Sequence, residues 1–164
     1  MVRLLDPHPN PPPFRGRESG VSAAERVSGY DIVLDGSDNF ATRFAVHDAC
    51  FQARIPLVSA AVSGFAGQIS TFMAYLGSPH PCYRCWVPEM PERELACAQE
   101  GVLGAAAGVM GSLQAAEAVK ELLGIGESLS GCVLLYDALA ASFRRVLLQR
   151  DSLCVTCGSP LSSA

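Results

Sequence analysis

Three features of these 164 residues predict an α/β fold with a mixed sheet and flanking helices. Between residues 30 and 62 the apolar pattern runs strand, helix, strand, which calls for a parallel crossover of right-handed sense. Only a Ser63-Gly64 turn then separates PLVSAAV from GQISTFMAYL, so that next strand is expected to reverse and pair antiparallel. Two CxxC pairs, Cys82/Cys85 and Cys154/Cys157, suggest one further tie between the middle of the chain and its end.

Each element follows from a local pattern. Residues 1–29 hold five prolines by position 13 and then RGRESGVSAAERVSG, which offers little to seed a core. A disordered leader is expected there, apart from a short helix around Ala23. YDIVLDGSDN is an apolar run closed by turn residues, the pattern of a buried strand entering a loop. In the helix that follows, Phe40, Phe44, His47 and Phe51 recur at three- and four-residue steps, with Ser37 or Asp38 as the expected cap and Pro56 as the stop. GVLGAAAGVMGSLQAAEAVKELLG reads as a long helix ended by Gly124. Its Ala and Gly content lowers side-chain bulk and permits close approach to a sheet or a second helix, although each internal glycine costs roughly 0.5–1 kcal/mol. GCVLLYDALAASFRRVLLQR reads as two strands joined by a turn at residues 139–141. One domain over 30–158, with a tail over 159–164, is the expected organisation.

Composition excludes several classes of function. The chain is 49% hydrophobic and long enough to bury roughly 70% of its unfolded surface. Twelve basic against 16 acidic residues leave a net charge of -4 with no Lys/Arg cluster, so nucleic acid is not an expected partner. The apolar run over 102–113 falls short of the roughly 20 residues a membrane span needs, and MVRLLDPHPN has no signal-peptide core. A cytoplasmic protein with no membrane partner is expected. In that reducing setting seven cysteines are not a disulfide framework, and metal binding or catalysis moves forward.

The paired knuckles Cys82-Tyr-Arg-Cys85 and Cys154-Val-Thr-Cys157 carry the strongest chemical signal. Each CxxC turn brings two sulfurs to one side of a tight loop, and two such turns complete the four thiolates that tetrahedral zinc favours. The competing reading is a thioredoxin-like redox pair, and His80 stands near enough to be an alternative ligand. Cys50 and Cys132 fall in helical and strand runs and are read as small core residues. Cys97 lies in the polar stretch ERELACAQEG beside Arg93, where it is either an exposed nucleophile or an ordinary loop cysteine. Asp35-Gly-Ser-Asp38-Asn39, with Thr42 and Arg43, falls where open α/β sheets bind ligands. A carboxylate there can hold Mg2+ on a nucleotide while Asn39 and Arg43 contact its polar groups, or Asp38 can simply cap the helix. Gly101, Gly104, Gly108 and Gly111 match neither GxGxxG nor GxxxxGK[ST] and are read as helix-packing positions; no strand here leads into a glycine-rich loop.

Taken in order, YDIVLDGSDNFATRFAVHDAC, IPLVSAAVSGFAGQISTF, PCYRCW, CAQEGVLGAAAGVMGSLQAAEAVKELLG, YDALAASFR and CVTCG resemble the second half of the HesA/MoeB/ThiF family, the ubiquitin-activating-enzyme-like adenylyltransferases. The resemblance implies the C-terminal part of a Rossmann-like ThiF-type fold. It implies that Asp38 with Asn39 contacts Mg2+-ATP, that Cys82, Cys85, Cys154 and Cys157 bind structural Zn2+, and that Cys97 matches a cysteine which in some members attacks the acyl-adenylate. The implied partner is a ubiquitin-like sulfur-carrier protein of a molybdopterin, thiamine or thiolation pathway, whose C-terminal glycine is adenylylated, and the implied assembly is a homodimer. The family's glycine-rich nucleotide loop, ribose-binding acid and triphosphate-neutralising cations have no counterpart in residues 1–29, which read as a non-native leader. Adenylylation by this chain alone is therefore expected to be weak or lost, the alternative being a non-catalytic, zinc-stabilised module for carrier binding or dimerisation.

Overall fold

A computed structural model describes residues 23–89 and 101–158. In order, it contains α1 (Ala23–Val27), β1 (Val33–Asp35), α2 (Phe40–Ala53), β2 (Leu57–Ser63), β3 (Ala66–Phe72), a 3-10 turn (Ala74–Leu76), α3 (Tyr83–Trp86), α4 (Gly104–Leu123), β4 (Cys132–Asp137) and β5 (Ser142–Leu147). The described strands form one five-stranded sheet in the order β1-β2-β3-β4-β5. β1 pairs parallel to β2, and every later pairing is antiparallel. The mixed sheet expected from the sequence is thus present, and its parallel part is the single β1-α2-β2 crossover.

The core lies on both faces of the central strands. Pleating sends alternate side chains of β2 to opposite sides. Val58 and Ala60 meet Ile69, Met110 and Leu129 under α4, while Leu57 meets Phe44, Cys50, Phe72 and Tyr83 under α2 and α3. β5, by contrast, is exposed along almost its whole length. Between β4 and β5, Asp137 Oδ1 accepts from Leu139 N (2.9 Å) and Ala140 N (3.1 Å), the local bonding that lets an aspartate start a turn. The turn falls over residues 138–141, as its sequence indicates.

Two local expectations need correction. The cap of α2 is Asn39 and not Ser37 or Asp38: its side-chain oxygen accepts from Thr42 N at 2.8 Å, which leaves the exposed Asp38 outside the helix start. Likewise, a Cβ added at Gly104, Gly108 or Gly111 would meet no atom of the described residues within 4 Å, so these glycines do not bring α4 close to the sheet. The inward face of α4 is instead Ala106, Met110, Gln114, Glu117 and Ala118. Close approach is provided from the strand side, where a Cβ on Gly67 would stand 2.6 Å from both Cγ and Sδ of Met110.

Buried polar groups pin α4 in place. Glu117 accepts from Thr71 Oγ1 (3.1 Å) and Leu129 N (2.7 Å) and also pairs with Lys120. The Gln114 amide donates to Asp35 O on β1 and to Val58 O on β2, both at 2.9 Å. One side chain therefore fixes the helix against two strands at once.

Candidate functional site

The four knuckle cysteines converge. All four sulfurs lie within 4.8 Å of one another, with Sγ···Sγ separations of 3.5 Å for Cys82–Cys154, 3.8 Å for Cys82–Cys85 and 3.4 Å for Cys85–Cys157. A tetrahedron of Zn–S bonds near 2.3 Å has edges of about 3.8 Å, so these residues fit such an ion closely. The redox reading, one CxxC acting by itself, does not account for a second pair at contact distance. His80 is placed differently, its Nδ1 standing 2.8 Å from Ser130 Oγ.

Local geometry explains the convergence. In the first knuckle, the single turn of α3 puts Cys85 N on Cys82 O at 3.0 Å, so both sulfurs leave one side. In the second, Gly158 N returns to Cys154 O at 2.8 Å, and a Cβ at position 158 would fall 2.5 Å from that same oxygen. Only glycine closes the turn without a shift. The knuckles are held together by Arg150, which donates to Ala74 O (2.9 Å), His80 O (3.0 Å) and Cys157 O, and by Asp151 N, which reaches Cys85 Sγ at 3.4 Å. Cys82 and Cys157 are buried, and burial pushes both thiols up, Cys157 to about 12; neighbouring thiols add to the rise at Cys82, while at Cys157 the contact to Cys85 adds and the one to Cys82 opposes. Sulfurs so placed give up their protons together only against a cation.

A second site opens beyond the carboxyl ends of β1 and β2. Here a cavity of about 880 Å³ has the loop at 36–38 and Arg43 at its polar end, and Gly67, Met110 and Tyr136 along its apolar wall. Its size suits a ligand the size of a nucleotide. Asp35 anchors the loop: its buried carboxylate accepts from Ser37 N (2.9 Å) and Ser59 Oγ (3.2 Å) and stands 3.8 Å from Arg43 Nη1. Arg43 completes the brace by donating to Ala60 O (3.1 Å), Ser59 Oγ (3.4 Å) and Ser37 O. Asp38 is left exposed on the cavity wall.

The three residues read as nucleotide contacts therefore occupy different places. Asp38 faces the cavity, Arg43 lines it from a buried, braced position, and Asn39 is engaged as the α2 cap. Cys97 lies outside the described residues. Sequence reasoning missed Gln114 and Ser59, which hold the strands and the Asp35 carboxylate in register. A signal for Gln114 existed, since a lone amide amid the Ala/Gly run of α4 is out of keeping with an outward or purely apolar face. Tyr83, between the first two cysteines, was likewise missed. It is buried against Phe44, Phe72 and His47, with ring centroids 5.4, 5.6 and 6.1 Å away.

Comparisons with known proteins agree with this geometry. The family model described as "ThiF family" matches residues 8–156, a match that begins ahead of Tyr30. The chain is 43% identical over 161 residues to the sulfur carrier protein adenylyltransferase of Thermus thermophilus, covering 96% of this chain and 59% of that protein. It is 42% identical over 160 residues to the SAMP-activating enzyme E1 of Haloferax volcanii (96% and 58%) and 39% identical over 154 residues to the molybdopterin-synthase adenylyltransferase of Escherichia coli (94% and 61%). The chain thus spans about three fifths of the length of these relatives. Among solved structures, E. coli MccB superposes with a TM-score of 0.63 at 19% identity over 79% of this chain and 40% of that one, a likeness of fold.

Proposed function

This chain belongs to the ThiF family, and on that premise we propose that its cavity takes Mg2+-ATP and the C-terminal glycine of a ubiquitin-like sulfur carrier, as part of an adenylylation site. The observation that carries the reading is an exposed carboxylate, Asp38, at the polar end of a cavity beyond the carboxyl ends of β1 and β2. Bound Mg2+ spreads the charge of the triphosphate. Asp38 would hold that cation, and the Asp35–Arg43 brace keeps the loop in one position for attack of the carrier carboxylate on the α-phosphorus, with pyrophosphate as the leaving group. The apolar wall that includes Met110 and Tyr136 lines the side of the cavity proposed for a side-chain-free peptide tail.

Zinc belongs to this reading as a structural ion on Cys82, Cys85, Cys154 and Cys157, where it cross-links the first knuckle to the second. Cys97 is assigned the acyl-acceptor role: its thiolate attacks the carbonyl carbon of the adenylate, and AMP departs. A homodimer is part of the same proposal, supported by the apolar residues Val119, Leu122 and Leu123 exposed on α4. No helix among the described residues is long and apolar enough to cross a membrane. Because no strand among the described residues leads into a glycine-rich loop, turnover by this chain alone is proposed to be weak.

Calorimetric titration tests the reading. Mg2+-dependent ATP binding that Asp38→Ala abolishes, with the fold intact by circular dichroism, is the expected result. Carrier binding without any nucleotide affinity would instead establish the non-catalytic module.

A further inference from the structure

The cysteine cluster packs on Phe51 near the end of α2, the cavity is lined by Phe40 and Arg43 at its start, and one side chain reaches from the first toward the second. Tyr83 is the residue directly after Cys82, so the position of α3 is set by the sulfurs on either side of it. Its ring is wedged edge-on against Phe44 (73°) and Phe72 (90°). Arg84, the next residue, grips the same helix, donating to Asp48 Oδ2 at 2.7 Å and lying over the Phe44 ring at 4.4 Å. Two successive residues of the knuckle thus hold α2 at the turn that carries Arg43.

The Tyr83 hydroxyl is the telling group. It is buried and meets no hydrogen-bond partner among the described residues, yet Tyr83 and Arg43 line one small gap together with Ser59 and Trp86. A phenyl ring would pack there without the cost of an unmet hydroxyl, and the guanidinium is the charged group that shares the gap. Arg43 in turn donates to Ser37 O on the cavity loop and to Ala60 O on β2.

We propose that Tyr83 is a positioning residue that ties the cysteine cluster to the Asp38 end of the cavity through Arg43, so that metal loading sets how firmly the cavity holds a phosphate-bearing ligand. Only the identity of that ligand rests on the nucleotide reading given above. The hydroxyl presents its dipole to the guanidinium across the shared gap without a hydrogen bond, the guanidinium steadies the loop, and the loop presents Asp38. Loss of the metal frees α3 and relaxes that chain of contacts from its far end.

The test uses the full chain loaded with zinc, in which the Arg43 Nε–Hε resonance is assigned by its disappearance in Arg43→Lys. Tyr83→Phe retains the ring, and Tyr83→Leu removes it. Tyr83→Phe is expected to keep its metal and its melting temperature, to shift the Arg43 resonance, and to weaken Mg2+-ATP binding severalfold, less than the loss of a full charge-assisted hydrogen bond would. Removing zinc with a chelator is expected to move the same resonance. If Tyr83→Phe leaves both the Arg43 signal and ATP binding as they were, the proposal fails, and a change confined to Tyr83→Leu fails it equally by reducing Tyr83 to packing. Should the unmodified chain bind no Mg2+-ATP, the nucleotide reading falls, and the Arg43 shift alone decides the coupling.

Discussion

The cysteine cluster and the cavity loop are built in opposite ways. At the cluster, the four chemically important side chains are themselves the structure: Cys82 and Cys157 are buried, and the turns around them exist to aim sulfur. At the loop, the side chain proposed to meet a cation is the least constrained one. Asp38 is exposed, while Asp35, Asn39, Ser59 and Arg43 do the holding. Function and stability coincide at the first site and are divided between different residues at the second, so substitutions should hurt the two sites in different currencies.

The largest effect is expected from Cys157→Ser. It removes a buried ligand, so bound zinc should fall from one equivalent to near zero by elemental analysis. Losing a structural ion of this kind is worth at least about 4 kcal/mol, which lowers the melting temperature by roughly 8–16 °C in scanning calorimetry. A variant that lost the metal but kept its melting temperature would break the contrast, since the cluster would then not be structural.

Next comes His47, which lies in the aromatic wall between the two sites, 6.1 Å from Tyr83 and 6.3 Å from Phe51. Burial lowers its pKa to about 4, with Asp48 opposing and Arg84 adding. The unfolded imidazole titrates near 6.5, so between those values the unfolded chain binds the extra proton. This contribution is complete above about pH 6.5 and is lost progressively as the pH falls toward 4, by about 3 kcal/mol in all. His47→Phe should flatten that part of the curve of urea midpoint against pH; an unchanged slope would show that another group carries it.

Gly158→Ala sharpens the comparison from within the cluster. All four ligands remain, but the new Cβ must displace Cys154 O, 2.5 Å away. A loss of about 1–3 kcal/mol, together with weaker zinc retention in a chelator competition, is the expected outcome. Asp38→Ala should be smallest in stability, within about 0.5 kcal/mol by urea unfolding, because the helix start depends on Asn39. A clear loss of stability there would show that the loop, like the cluster, combines both roles.

The two sites were also unequally legible in the sequence. CxxC spacing is a local instruction, since one turn of chain suffices to bring two sulfurs together, and the pairing of the two turns follows from valence. The strand reversal at Ser63-Gly64 and the stop at Gly124 are local in the same sense. The cap of α2 was harder. Ser37, Asp38 and Asn39 are all good capping residues, and the choice is made by tertiary contacts: Asp35 draws in Ser37 N, Arg43 draws in Ser37 O, and the helix can begin only after both. The glycines of α4 misled for a related reason. Small residues lie on more than one face of that helix, and only the sheet selects the face of Met110 and Gln114 as the inner one. Tyr83 was hidden by the motif itself, because the spacing of a knuckle says nothing about the residues between its cysteines.

Asn39 leaves one practical legacy. The capping bond is made by Asn39 Oδ1, while its Nδ2 donates to the exposed Asp38 Oδ1 at 3.3 Å, so position 38 is a slot whose chemistry can be exchanged at the loss of one long, exposed contact. A protein engineer could install histidine, cysteine or a neutral amide at position 38 and read each as a change of ligand preference, without first having to repair the fold.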